Sequence, residues 1–194
     1  MKHFKKALIL IPFFILSCAS PSLYLKDYEP INVFLETQKI DKNKKHILQV
    51  DKAPNKRALR IFNGEEGAEH IVDPTDPIDY TDNLFVKKHW KKMYKQYAQD
   101  TIKKYWKKED FPEYDFILED GKGLFNYDFE MRHLGARFQE ATIISEPMYY
   151  MNKKYIMFYY SKAYSTGGVK SSTVIMKKEK ENWVIVRVIR DNVY

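Results

Sequence analysis

The sequence predicts an α+β domain, and three observations carry the prediction. The C-terminal third alternates strand-like runs with turn signals, and the middle of the chain holds an apolar stripe at helical spacing. Pro30 opens a short apolar segment in the way a proline occupies the first turn of a helix. The expected architecture is a long amphipathic helix packed on a C-terminal antiparallel β-meander. Aromatic residues make up 15% of the chain, too many for a disordered polar tail.

The N-terminal residues read as an address. Met1 to Lys6 is basic, Ala7 to Leu16 is apolar, and Ile15-Leu16-Ser17-Cys18 follows. The apolar run is roughly half of the ~20 residues a membrane-spanning helix needs, and Pro12 interrupts it. This arrangement resembles the export signal and lipobox of bacterial lipoproteins. Ser17 is small enough for a peptidase to close around, Ile15 is the branched apolar residue, and Leu16 is bulkier than the usual Ala or Ser. The resemblance implies cleavage after Ser17 and three acyl chains on Cys18, which anchor the protein to the inner or outer membrane of a bacterium. Whether the domain faces the periplasm or the surface stays open. Cys18 is the only cysteine, so it has no internal disulfide partner, and thioether formation would consume its thiol. The chain then divides into a signal over 1–17, a lipidated cysteine and tether over 18–23, and one α+β domain over 24–194.

The formal charge of +7 falls to +4 when Lys2, Lys5 and Lys6 leave with the signal. So mild an excess on an exported protein argues against a nucleic-acid partner.

Along the domain, Pro30, Ile31, Phe34, Leu35 and Gln38 fit a short helix, with a strand as the alternative. His46 to Val50 and Arg57 to Phe62 read as strands around an Ala53-Pro54-Asn55 turn, and residues 63–82 as loop. Val86, Trp90, Met93 and Tyr97 then mark one face of a helix beginning near Asp82 or Asn83. Beyond Asp100 the phase shifts to Ile102, Tyr105 and Trp106, implying a kink or a second helix capped by Asp100-Thr101, the whole spanning 83–108. The meander follows: Thr142 to Tyr150, Tyr155 to Ser165, Val169 to Lys177 and Trp183 to Arg190, with Thr166-Gly167-Gly168 as a hairpin turn. The last strand is apolar on both faces near its centre, as a central or covered strand is. This helix-then-meander order, with Trp183-Val184-Ile185 after a charged turn, resembles the NTF2-like or cystatin-like roll and certain bacterial envelope proteins. The strand-like segments ahead of the long helix depart from that pattern, and fold analogy implies no function by itself.

Several constellations invite chemistry. The aspartates from Asp73 to Asp82 recur at every third position and suggest calcium, but two prolines and the wrong spacing favour a chain of turns ending in a helix cap. Asp128, Glu130 and His133 lie within six residues; with no further ligand evident nearby, a solvated polar segment is the simpler reading. No nucleophile elbow exists, and Gly121-Lys122-Gly123 is too short to cradle phosphate. Lys88, Lys92 and Lys95 fall opposite the apolar stripe and form a candidate basic face for anionic lipid or an acidic protein, against the plainer role of keeping a helix soluble. The aromatic runs Met148 to Met151 and Met157 to Tyr160 either line a cavity or fill a core, and core is the expectation.

No catalytic residue, metal or cofactor is expected. The partners are the membrane, through acyl chains on Cys18, and an envelope protein. The leading reading is a lipid-anchored envelope protein serving as a non-enzymatic binding module. The alternative is a roll whose pocket binds, or less readily transforms, a small molecule.

Overall fold

A computed structural model describes residues 24–25, 27–64, 81–134 and 138–191. Cys18 and the aspartates from Asp73 to Asp79 lie outside the described residues. The fold is α+β, with helices packed on a sheet whose C-terminal part is an antiparallel meander.

The elements in chain order are α1 (Glu29–Thr37), β1 (His46–Gln49), α2 (Asn55–Asn63), α3 (Lys87–Tyr97), β2 (Phe116–Glu119), α4 (Tyr127–Arg132), β3 (Glu140–Ile144), β4 (Met148–Tyr150), β5 (Tyr155–Tyr164), β6 (Val169–Glu179) and β7 (Asn182–Asp191). Strand order across the sheet is β2-β1-β3-β5-β6-β7, with β4 paired to β5 beyond the end of β3. Strand β1 runs parallel to both β2 and β3, and every later pairing is antiparallel. The expected run from Thr142 to Tyr150 is thus two strands, broken at Ser145-Glu146-Pro147.

Period-two alternation gives the central parts of β5 and β6 two buried faces. On one face, Phe158 and Val174 pack with Ile31, Phe34 and Leu35 of α1. On the other, Met157, Tyr159 and Ile175 pack with Leu59 and Phe62 of α2 and with Met93 and Tyr97 of α3. The sheet therefore lies between α1 on one side and the α2–α3 pair on the other. The hairpin at Gly167-Gly168 takes the positive φ angles of +82° and +89° that glycine accommodates at little cost.

Two expectations are corrected here. Residues 57–62 form a helix, because Ala58, Leu59, Ile61 and Phe62 follow helical spacing and are buried together. Pro54 stands at the N-cap of that helix, and Gly64 ends it in the left-handed conformation at φ +79°. The long helix stops at Tyr97: residues 101–107 are extended, and Lys52 and Trp106 donate backbone N–H groups to Lys104 and Val50 carbonyls at 2.9 and 2.8 Å. Trp106 drives that choice, since its ring is 2% exposed and its indole N–H donates to the Ile144 carbonyl. Ile102 and Tyr105, its supposed stripe partners, are exposed at 76% and 54%. Strand β7 stands last in the strand order of the described residues, and α1 and α2 partly cover its two faces, which agrees with the covered alternative.

The cap expected at Asp82 or Asn83 is also absent. Helix α3 begins after Val86 without a side-chain cap, and Asp82 pairs instead with Arg187 at 3.1 Å. The approach to the helix is held by Thr81, whose hydroxyl accepts from the Phe85 N–H, and by Tyr150, whose hydroxyl donates to the Leu84 carbonyl and accepts from the Val86 N–H.

Candidate functional site

Helix α3 presents the basic face that its sequence implies. Met93 and Tyr97 are buried, Trp90 donates its indole N–H to the Leu59 carbonyl at 3.1 Å, and Lys88, Lys92 and Lys95 point to solvent. The ion pairs among the described residues include none of these three lysines. Beside them the β4–β5 turn rises through Met151, Asn152 and Lys153, all at positive φ (+46°, +54° and +69°). Each such residue costs energy relative to glycine, and the turn is closed by the Lys154 N–H donating to the Met151 carbonyl. Lys92 of α3 and Lys153 of this turn line one shallow hollow of about 340 Å³, floored by Tyr97, Tyr149 and Tyr150. The result is a cationic rim on aromatic ground, suited to anionic groups that stay partly hydrated.

Tyr24 lies at the same end of the domain. Tyr24 forms an antiparallel bridge with Met148 of β4, and its ring packs on Tyr97 at 5.4 Å. Its hydroxyl donates to Asp100 and accepts from the Asn55 amide, and the Lys104 ammonium sits 3.4 Å from the ring centroid. Burial raises the Tyr24 pKa, and the Asp100 carboxylate adds to that effect, so the hydroxyl keeps its proton.

A second polar cluster lies deeper. Lys52 and Glu146 meet at 2.8 Å, Tyr28 joins them through its hydroxyl, and Lys52 stacks 4.1 Å from the Trp106 ring centroid. The Lys52 and Glu146 side chains are each 8% exposed and satisfied by one another, so the cluster reads as structural bracing.

The Asp128-to-His133 stretch falls on a short helix, Tyr127–Arg132, capped by Asn126. Asp128 and Glu130 are exposed, whereas His133 and Arg132 converge on Glu119 of β2 at 2.8 and 2.6 Å. Burial alone would raise the Glu119 pKa, but hydrogen bonds from Arg132 and His133 hold it below the ordinary glutamate value. An imidazole beside a carboxylate is the raw material of acid–base chemistry. Here Phe129 and Phe138 pack against the ring. Glu119 was invisible to local spacing because it arrives from a strand fourteen residues away. Among the described residues, no group of three His, Cys, Asp or Glu side chains is arranged to hold a metal.

The aromatic runs are largely core, as expected: Met148, Tyr150, Met157, Phe158, Tyr159 and Tyr160 are all buried. Two of them also meet open space, Tyr150 at the α3 hollow and Tyr160 at a larger groove on the opposite face of the sheet.

No helix among the described residues is long and apolar enough to cross a membrane. Compared with protein-family models, with curated proteins and with solved structures, the chain matches none.

Proposed function

We propose that this protein is a lipid-anchored, non-enzymatic binding module of the bacterial envelope, with the α3 face resting on anionic headgroups. The observation that carries the proposal is the placement of Lys88, Lys92, Lys95 and Lys153 at the end of the domain where Tyr24 receives the tether. Six residue steps separate Cys18 from Tyr24, and an extended chain of that length reaches roughly 20 Å. A lipidated Cys18 would therefore hold β4 and α3 near the bilayer surface. Each lysine close to an anionic surface contributes about 1 kcal/mol, so the few lysines here add orientation to an anchor that the acyl chains supply.

The packed core supports a binding rather than catalytic role. Helices pack on both faces of the sheet at the first half of β5, and the His133–Glu119 pair packs against the Phe129 and Phe138 rings. An acidic envelope protein is the alternative occupant of the lysine face.

The test has two arms. Wild-type protein should incorporate labelled acyl chains and fractionate with membranes, and Cys18→Ala should do neither; retained labelling would overturn the lipoprotein assignment. The mature Cys18→Ala protein should then sediment with phosphatidylglycerol vesicles, but not with phosphatidylcholine vesicles, at low salt only. K88E/K92E/K95E should abolish that sedimentation. Equal binding to neutral vesicles, or none to anionic ones, would remove the headgroup contact.

A further inference from the structure

The extended segment after α3 holds two large apolar side chains out in solvent. Its backbone is fixed by its neighbours: the Trp106 N–H donates to the Val50 carbonyl at 2.8 Å, the Trp106 indole N–H donates to the Ile144 carbonyl, and Tyr105 forms an antiparallel bridge with Asp51. Burying Trp106 in this way leaves Ile102 76% and Tyr105 54% exposed. No large apolar side chain among the described residues is more exposed than Ile102. Isolated apolar residues on a surface are ordinary, but these two lie three positions apart on one fixed strand.

Their place in the fold is the second observation. The Ile102 N–H donates to the Asp100 carboxylate at 3.2 Å, and the same carboxylate accepts from the Tyr24 hydroxyl and, at 2.9 Å, from the Lys104 ammonium. One carboxylate therefore ties Tyr24 to the segment that carries the exposed pair. Cys18 is six residue steps from Tyr24, a reach of roughly 20 Å when extended. Under the lipoprotein reading, on which this inference rests, acyl chains on Cys18 bring a bilayer within that distance of Tyr24 and so to the neighbourhood of Ile102.

Charge is the third. From Thr101 to Lys108 the chain has lysines at 103, 104, 107 and 108 and no carboxylate. Lys104 is engaged by Asp100, whereas Lys103, Lys107 and Lys108 are exposed and enter none of the ion pairs among the described residues. Aliphatic and aromatic side chains set among lysines suit a membrane interface, where apolar groups enter the headgroup–acyl boundary and ammonium groups stay with anionic headgroups. Tyrosine is at home there because its ring is apolar and its hydroxyl stays wet. An acidic soluble partner would match the lysines but would leave the apolar pair without a role.

We propose that Ile102 and Tyr105 insert into the headgroup–acyl boundary of an anionic bilayer, with Lys103, Lys107 and Lys108 at the level of the headgroups. The insertion adds an apolar contact to the lysine face of α3, which ends at Tyr97, five residues before Ile102. Two side chains are too few to hold the domain on a neutral surface, so the contact forms only where lysines have already met anionic lipid. Its consequence is a fixed tilt of the domain on the membrane, set by the α3 face and the Ile102–Tyr105 pair together.

Cys18 is the only cysteine, so the mature Cys18→Ala protein carrying Ile102→Cys takes a single nitrobenzoxadiazole label. With phosphatidylglycerol vesicles at low salt, the label's emission should rise, shift to the blue and be quenched by nitroxide on the upper acyl chain. The same label at Thr166→Cys should not respond, because Thr166 is exposed in the β5–β6 hairpin, at the opposite end of β5 from the strand that pairs with β4. I102S/Y105S should weaken vesicle binding by about tenfold or more, the scale of partly burying an aliphatic and an aromatic side chain. Its melting temperature should hold, since both side chains are exposed. Failure of the unlabelled protein to sediment with anionic vesicles would remove the headgroup contact of α3 and this insertion with it. Sedimentation with a silent label at position 102, or with affinity unchanged in I102S/Y105S, would overturn the insertion alone. So would self-association of the lipid-free protein that I102S/Y105S abolishes, which would assign the pair to a second copy of the chain.

Discussion

Lys52 and Glu146 form a buried ion pair at 2.8 Å, each side chain only 8% exposed, linking the segment after β1 to the break between β3 and β4. Tyr28 donates its hydroxyl to the other Glu146 oxygen at 2.9 Å, and the rings of Tyr28 and Trp106 flank the ammonium at 4.5 and 4.1 Å. A paired charge in such a place contributes little net stability, but an orphaned one is expensive. Glu146→Ala should destabilise the fold by about 3–5 kcal/mol, whereas the double replacement Lys52→Met with Glu146→Leu should recover most of that loss. Urea denaturation of the single and double variants measures both. A single variant as stable as wild type would mean that the pair is hydrated in solution.

The Glu119 cluster makes a prediction in acid. Burial would push this carboxyl up, yet Arg132 and His133 hold it below its ordinary value of 4.5. A depressed native pKa means that the folded state favours the carboxylate, so its contribution is present above 4.5 and fades as pH falls through the lower native value. Arg132→Ala with His133→Ala should flatten that acid limb of the stability curve while changing neutral stability less steeply than a core cavity would. Denaturation midpoints collected from pH 2 to pH 6, roughly the span in which such linkage appears, provide the measurement. An unchanged slope would show that Glu119 titrates normally.

The Gly64 turn yields a backbone prediction. Gly64 closes α2 at φ +79°, with its N–H returned to the carbonyls of Arg60 and Ile61. A side chain there meets the left-handed penalty of about 1–2 kcal/mol. Gly64→Ala should cost about that much in chemical denaturation, and Gly64→Asn should cost less, because asparagine tolerates this conformation better. If alanine were neutral, the cap would have to relax into another geometry.

What could be read in advance follows how local each cause is. Trp90, Met93 and Tyr97 identified α3 because helical burial repeats within one segment, whereas Val86, the fourth member of the stripe, stands at the N-cap and is exposed. The hairpins around Gly167-Gly168 and Lys180 were legible for the same reason. Arg57 to Phe62 was misread because a short apolar run fits strand and helix alike, and only α2's docking against β5 and β6 decides it. Trp106 is held by Ile144, thirty-eight residues away, which no window over 101–107 contains. The parallel pairing of β1 with β2 and β3 is equally non-local. Lys88, Lys92 and Lys95 were visible as a face of one helix. The groove beside Tyr160 was not, since Tyr160, Ser172 and Arg190 become neighbours only through strand register.

Tyr24 couples that local and non-local information at the membrane-proximal end of the proposed arrangement. Its backbone bridges Met148, its ring packs on Tyr97, and its hydroxyl joins Asp100, which also accepts from Lys104 at 2.9 Å. Burial would raise the Asp100 carboxyl, but hydrogen bonds from Tyr24 and Lys104 keep it low and charged, so the latch holds at neutral pH. A terminal segment can open independently of the core. Tyr24→Ala should therefore accelerate tryptic cleavage at Lys26 by about tenfold, the response to roughly 1.4 kcal/mol of lost local stability, with little change in the global unfolding midpoint. Tyr24→Phe, which keeps the ring on Tyr97 and loses only the hydroxyl, should fall between the two. Wild-type cleavage rates in Tyr24→Ala would show that the backbone bridge to β4 suffices, and that the ring and its Asp100 contact do not hold this segment on the fold.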